Sequence, residues 1–229
     1  EKKFDIIHVH NPFAGFLTAN ILSLSNSVNI ATFHGFGSPG LGYQIIYKLG
    51  ANKIAKKYFK KLDGLIAVSE PAREFISNYF PGDYKVIPNG IRLESYTDNV
   101  KPFAHFKDGM INLLFVGRLE KRKGLRYLLA AYRRIKQGFP NIRLIIVGPG
   151  KPDQESKRII NEGNLKDIIF VGPVSDKDKI RYYKTADIFC SPATGQESFG
   201  IVLLEAMAAR KPIIATSIEG YSSVITNGI

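Results

Sequence analysis

The sequence predicts an α/β protein made of two Rossmann-like parallel sheets, and three observations carry that expectation. Short apolar runs of strand length recur along the 229 residues, helical patterns fill most gaps between them, and one non-periodic stretch divides the series. A helix between two strands returns the chain to the same end of the sheet, so strands alternating with helices lie parallel. Hydrophobic residues make up 45% of the chain, which at this length supplies a substantial core.

In order, strands are expected near 5–10, 29–33, 64–68 and 85–87, then near 112–116, 142–147, 167–171, 187–190 and 212–215. The division falls at Ile91 to Met110, which has no period and carries Pro102 and charges of both signs. Residues 1–92 therefore read as the later part of a first domain, 93–110 as a connection and 111–229 as a second domain. Tyr221 to Ile229 reads as a helix stopping at Asn227-Gly228. The abrupt end and the lack of an initiating Met mark the chain as a fragment of a longer protein. One cysteine excludes a disulfide framework, and no run has the length of a membrane span or the layout of a signal peptide. Composition thus points to a soluble, cytoplasmic protein.

Glu197 and Glu205 flank the expected start of a helix in Glu197-Ser-Phe-Gly-Ile-Val-Leu-Leu-Glu205-Ala-Met-Ala. A strand-like run, Ile188 to Pro192, and a loop, Ala193 to Gln196, precede them, so helix N-terminal amides near Phe199 and Gly200 face a diphosphate. Two readings stand side by side. In one, the pair recognises hydroxyls at two ends of a long, doubly anionic ligand. In the other, Glu197 is a carboxylate favoured by the helix macrodipole and Glu205 a solvated helix residue. A glycosidase pair fits poorly: it asks for roughly 5 to 9 Å between carboxyls, whereas six or seven helical residues at ~1.5 Å rise separate these by about 10 Å.

A second feature is Phe115-Val-Gly117-Arg118-Leu-Glu-Lys-Arg-Lys123-Gly124, where an apolar strand runs into a glycine and then a basic loop opening a helix. Arg118 offers a planar fork for bidentate phosphate contact and Lys123 a mobile point charge. The plainer reading is a solvated basic loop, since neither glycine completes a dinucleotide fingerprint or a Walker loop.

These motifs are joined, in order along nearly the whole chain, by Asp5-Ile-Ile-His-Val-His10, Ala31-Thr-Phe-His34, Ala67-Val-Ser-Glu70 and Val86-Ile-Pro-Asn-Gly90. The set resembles the GT4 family of retaining nucleotide-sugar glycosyltransferases, and its phosphatidylinositol mannosyltransferase branch most. The resemblance implies the GT-B fold, two Rossmann-like domains facing a cleft, with the opening strand and glycine-rich loop of the first domain missing here. It implies metal-independent transfer of a hexose, best mannose from GDP-mannose, to a hydroxyl of a lipid-linked or polyol acceptor, with no cofactor besides the substrate nucleotide sugar.

Carried over residue by residue, the resemblance places Arg118 and Lys123 on the donor diphosphate, Glu197 on the sugar hydroxyls, Glu205 on the ribose and His34 beside the reacting centre. Gly117, Ser198, Phe199, Gly200 and Ile201 would lie against the donor, and Val174, Asp176 and Lys179 would line the base pocket, where an Asp accepts from guanine N–H groups. Catalysis would rest on stabilising the departing diphosphate. Attack would come from the same face, without an established enzymatic nucleophile.

Two positions depart from the family pattern: Gln196 and Arg210 stand where glycine is common. Arg210 also reads as a cation at a helix C-terminus, ahead of the helix-stopping Pro212. Asp176-Lys177-Asp178 superficially matches a metal-binding acid pair of another glycosyltransferase fold. Ser175 followed by Asp178 reads instead as a helix cap, and Lys177 opposes a divalent cation.

His8 and His10, two apart on a strand, point to one face. Metal ligation with His34 lacks a supporting acid or cysteine, so histidines at strand ends lining a cleft are the favoured reading. The net charge of +12 concentrates usefully in Tyr43 to Leu62, where a helix would gather Lys53, Lys56, Lys57, Lys60 and Lys61 opposite an apolar face. An ordinary domain helix explains the apolar face. The lysines suit an anionic membrane surface, giving a peripheral protein on the inner face of the membrane. A nucleic-acid module fits least, because Glu197 and Glu205 would repel a phosphate backbone.

Overall fold

The computed structural model describes residues 4–12, 16–35, 57–96 and 99–228. By contacts the chain divides into a first unit, Glu1–Asn89 with Gln196–Phe199, and a second, Gly90–Gly195 with Gly200–Ile229.

In the first unit, β1 (Ile6–His10), β2 (Val28–Phe33), β3 (Gly64–Ala67) and β4 (Tyr84–Val86) form a sheet in that order, all parallel. Helices α1 (Phe16–Leu24) and α2 (Glu70–Ser77) lie between strands in sequence. The core gathers Leu22, Ala31, Phe33, Ala67, Phe80 and Tyr84, with the Phe33 ring edge-on to Tyr84. Ser69 starts α2 because its hydroxyl accepts from the Ala72 amide at 3.1 Å, and Pro71 in the first turn gives up no needed donor.

The second unit carries a five-stranded parallel sheet in the order β7-β6-β5-β8-β9, from β5 (Ile111–Val116), β6 (Ile142–Val147), β7 (Ile168–Gly172), β8 (Ile188–Ser191) and β9 (Ile213–Ala215). β6 reads Ile-Arg-Leu-Ile-Ile-Val and is buried at all six positions, as a strand covered on both faces must be. Alternation along the strands sorts the core into two faces. Leu113, Phe115, Leu144 and Ile146 pack with Leu125, Leu128, Leu129 and Tyr132 of α3 (Leu125–Gly138), the face that also takes Ile159 and Ile160 of α4 (Gln154–Glu162). Leu114, Ile145, Val147 and Phe189 pack with Ile180 and Tyr183 of α5 (Asp176–Thr185) and Leu203 and Ala206 of α6 (Ile201–Ala208). Each fully buried aliphatic or aromatic side chain contributes about 1.5–3 kcal/mol.

All nine strands fall within two residues of their expected bounds, and the differences lie elsewhere. The expected connection, 93–110, groups with the second unit, because Tyr96, Phe103 and Phe106 pack into its core and two 3₁₀ turns, Leu93–Tyr96 and Ala104–Phe106, shape the stretch. Arg143, buried on β6, pins it by pairing with Asp108 and Asn112. The guanidinium beside Asp108 holds that carboxyl below its usual range. The expected helix from Tyr221 onward is instead a short α7 (Glu219–Ser222) that gives way to turns, where the β-branched run Val224-Ile225-Thr226 disfavours helix. The amphipathic helix expected over Tyr43 to Leu62 lies outside the described residues as far as 56, while 57–59 are helical. Among the described residues no helix is long and apolar enough to cross a membrane.

Candidate functional site

Within the second unit, β5 feeds α3 on one face of the sheet and β8, its neighbour, feeds α6 on the other. Adjacent strands whose helices diverge leave a crevice at their carboxyl ends, the usual ligand site of such sheets. Nine of the anticipated donor-side residues follow the carboxyl ends of β5, β7 and β8: Gly117, Arg118 and Lys123 after β5, Val174, Asp176 and Lys179 after β7, and Gly200, Ile201 and Glu205 after β8. Ile201 opens α6 and is exposed, and Val174 packs half-buried beside the core.

Backbone shape holds the basic loop. Gly117 donates to the Val147 carbonyl at 2.9 Å, and Leu119 to Pro149 at 2.9 Å. Gly148, at φ +140, lies so close that a Cβ there would stand 2.0 Å from the Gly117 carbonyl oxygen. Lys121–Lys123 form a 3₁₀ turn that Gly124 closes at φ +73, where a Cβ would stand 1.9 Å from the Pro192 carbonyl oxygen. Thr194 ties the loop after β8 to it by donating its amide to the Arg122 carbonyl at 2.8 Å. The Lys123 stem runs near Gly117, whose missing Cβ would be 3.8 Å from Lys123 Cδ. Arg118 is 62% exposed and pairs with Glu120 at 2.8 Å, and Arg122 takes the other Glu120 oxygen at 2.9 Å. Glu120 was not anticipated as part of the site, although its place between two arginines is visible in the motif.

Glu205 is not solvated. It is buried, and it is the only acid among the buried residues described. Lys179 Nζ lies 2.7 Å from Oε1, and the Tyr183 hydroxyl donates to Oε2 at 2.9 Å. Lys179 also reaches Asp176 at 3.2 Å, so one ammonium joins two of the predicted site residues. Burial works against that ammonium, but its bonds to Glu205 and Asp176 outweigh burial and raise its pKa. Burial, with Glu205 adding to it, pushes the Tyr183 phenol well above its ordinary value, so it stays a donor. Ser175 caps α5 by accepting from the Asp178 amide at 3.1 Å, and its hydroxyl bonds Asp178 Oδ2 at 3.0 Å, which confirms the capping reading of that segment. Gly200, at φ +97, starts α6 against the Tyr221 ring, and the Tyr221 hydroxyl bonds Ser191 at 2.7 Å.

Glu197, Ser198 and Phe199 fall in the four-residue segment that groups with the first unit. There the Ser198 carbonyl accepts from the Ser69 hydroxyl. Glu197 is half-buried and Phe199 buried. In the same unit, His34 follows β2 and its imidazole Nε2 lies 2.8 Å from His10 Nδ1, with the two rings 5.1 Å apart. Asn11, at φ 46, accepts from the His34 amide at 2.9 Å and so fixes the backbone from which the imidazole projects. His8 bonds Thr32 at 2.7 Å. Burial first, then the neighbouring His10 and His8, lowers the His34 pKa below 6.5. Among the described residues no cluster of His, Cys, Asp and Glu has metal-binding geometry. Lys57 and Lys60 are exposed, and the half-buried Lys61 donates from its ammonium to the Ser23 carbonyl at 2.8 Å. Lys53 and Lys56 lie outside the described residues.

Residues 98–229 match the family model for glycosyl transferases group 1, and residues 1–95 match that for glycosyltransferase family 4. The chain belongs to the group 1 glycosyl transferases. It is 34% identical over 230 residues to a phosphatidyl-myo-inositol mannosyltransferase of Mycolicibacterium smegmatis, covering 100% of this chain and 57% of that protein. It is 30% identical to a namesake of Propionibacterium freudenreichii over 98% of this chain and 55% of the relative. The chain thus spans somewhat over half the length of the curated relatives it matches. Among solved structures, Anabaena Alr3699/HepE in complex with UDP and glucose superposes with a TM-score of 0.79 at 21% identity, over 99% of this chain and 63% of that one. A sucrose-phosphate synthase from Thermosynechococcus elongatus superposes at 0.68 and 25% identity, over 95% and 57%. The glycosyl transferase chain therefore has the GT-B fold expected of it.

Proposed function

We propose that the protein transfers a hexose from a nucleotide diphosphate sugar, best mannose from GDP-mannose, to a hydroxyl of a lipid-linked or polyol acceptor. The observation that carries this reading is the convergence, at the carboxyl ends of one parallel sheet, of Arg118 and Lys123 with a buried Glu205 that Lys179 links to Asp176. Cations at one end suit a diphosphate, a buried carboxylate suits ribose hydroxyls, and an exposed Asp suits the N–H groups of guanine. The similarity to mannosyltransferases named for phosphatidyl-myo-inositol supports the choice of sugar and of a lipid acceptor. As the glycosidic bond breaks, Arg118, Lys123 and the N-terminal amides of α6 would neutralise charge growing on the departing diphosphate. In this reading Glu197 holds the sugar hydroxyls and His34, neutral at pH 7, stands beside the reacting centre. No metal is assigned a role.

Calorimetric titration with GDP, UDP and ADP, with and without EDTA, tests the donor. EDTA-insensitive binding that favours GDP is expected, while preference for UDP would overturn the mannosyl assignment. Arg118→Ala should cut transfer from GDP-mannose at least ~100-fold, the scale of losing one oxyanion-stabilising donor. Its exposure predicts stability within about 0.5 kcal/mol of the parent. Binding of GDP without transfer would identify the chain as a donor-binding portion of the enzyme.

A peripheral, cytoplasmic location on the inner face of the membrane belongs to the same reading, and rests on the exposed Lys57 and Lys60. Loss of sedimentation with anionic liposomes in a Lys57→Glu/Lys60→Glu variant is expected, and unchanged sedimentation would remove this part.

A further inference from the structure

Helix α6 is apolar apart from Glu205, so its carboxylate enters the protein at the cost of its hydration. Both oxygens are compensated, but by unlike partners. Tyr183 has no exposed surface, and its single hydroxyl hydrogen has two acceptors in reach: Glu205 Oε2 at 2.9 Å and the Val202 carbonyl at 3.2 Å. The nearer acceptor is the charged one, and a charge-assisted bond is the stronger. Lys179 keeps 28% of its side chain exposed and holds a second acid, Asp176, whose own side chain is 95% exposed. One arm of the carboxylate is therefore locked in the core, and the other ends in a flexible ammonium that already has an alternative partner at the surface.

We propose that Tyr183 is a positioning residue that locks Oε2 of Glu205, leaving Oε1 as the acceptor for the vicinal hydroxyls of a nucleotide ribose, with Lys179 the partner that yields to them. The inference rests on the reading of Glu205 as the ribose acceptor and adds how that acceptor is held. A carboxylate held by one oxygen turns less freely, so it receives two adjacent hydroxyls at a smaller loss of side-chain freedom. Lys179 needs only to swing toward Asp176, and its charge remains paired. Tyr183 lies one helical turn beyond Lys179 on the same face of α5, so one helix supplies both the fixed and the movable arm.

The test compares the affinity of the purified chain for GDP and for 2′,3′-dideoxy-GDP by calorimetry, in the parent and in Tyr183→Phe. The parent should prefer GDP, and Tyr183→Phe should lose about tenfold on GDP and nothing on the dideoxy form, so the preference collapses. Equal weakening of both nucleotides, or an unchanged preference, overturns the proposal, since a merely structural tyrosine would act on both alike. Should Tyr183→Phe not fold, Tyr183→Met also removes the hydroxyl while filling the space flexibly, with the same outcomes expected. A parent that binds both nucleotides equally refutes the ribose role of Glu205 itself. Preference in the parent that survives in the variants refutes Tyr183 alone.

Discussion

The two ends of the second unit's site are built by opposite means. After β5, Arg118 and Lys123 sit on a loop whose position is set by backbone: Gly124 and Gly148 let strands and turns approach to distances that any Cβ would forbid, and the Arg118 side chain stays exposed. On α6, the backbone is ordinary helix and the position of Glu205 is set by side chains, Lys179 and Tyr183, in a buried setting. A phosphate clamp, the role proposed for this end, needs a fixed framework from which its cations are presented at the surface. Hydroxyl recognition needs a directional acceptor, so the charge itself is fixed. The difference predicts that the first end breaks through glycine and the second through side-chain truncation.

The largest effect is expected at Gly124. With φ +73 and the Pro192 carbonyl where its Cβ would lie, Gly124→Ala should cost about 3 kcal/mol or more, read as a fall in Tm, and should weaken GDP binding by displacing Lys123. A Tm within a degree of the parent would show that the loop relaxes and that backbone shape does not hold this end. At the other end, Glu205→Ala leaves the Tyr183 hydroxyl and the Lys179 ammonium without their main partner. A loss of about 2 kcal/mol is expected by denaturant titration. An unchanged midpoint would mean that Val202 and Asp176 absorb both donors, removing the contrast drawn above.

Much of this was legible in the sequence, for a physical reason. Strands buried on both faces must be apolar along their whole length, and β6 could hardly be read otherwise. The two positions that depart from glycine in the family pattern, Gln196 and Arg210, both adopt left-handed backbone, at φ 59 and φ 56, so the departure marks a constraint the chain meets with the wrong residue type. Tyr183 was not legible, since an aromatic residue in a helix signals core, and its hydroxyl gains meaning only once α6 lies against α5. Its spacing of four from Lys179 was the one available hint. Glu120 hid in the same way inside a run read for its cations. The stretch 91–110 showed no period and so suggested a linker, whereas Tyr96, Phe103 and Phe106 gave the signal that it packs.

His34 of the first unit is shifted toward its neutral form, whereas Lys179 in the ion pair of the second is shifted toward its charged form. The folded pKa of His34 lies below 6.5, through burial first and its two histidine neighbours second, so the unfolded chain takes the proton more readily. Stability from this group is complete above 6.5 and is lost as pH falls from 6.5 through the lower folded midpoint. NMR titration should find the His34 midpoint below 6.5, and His10→Gln should raise it partway, because burial remains. A midpoint at or above 6.5 in the parent would refute the neutral His34 on which its proposed catalytic role depends.

The smallest effect concerns how α6 ends, and therefore how firmly Glu205 is carried. Arg210 donates its amide to Met207 at 2.8 Å and Lys211 to Ala206 at 3.0 Å, the paired bonds of a helix stop that glycine normally makes. Holding arginine at φ 56 costs about 1 kcal/mol or more relative to glycine, and glycine returns part of that through its freer unfolded chain. Against this, the cation favours the helix C-terminus by about 0.3–1 kcal/mol at low salt. Arg210→Gly should therefore be nearly neutral at low ionic strength and stabilising by about 0.5–1 kcal/mol at high ionic strength, where the dipole term is screened and the backbone term is not. Denaturant midpoints at the two salt concentrations separate the terms: a gain independent of salt would assign the whole effect to backbone, and a loss at both would show that the Arg210 side chain, not its conformation, stops the helix.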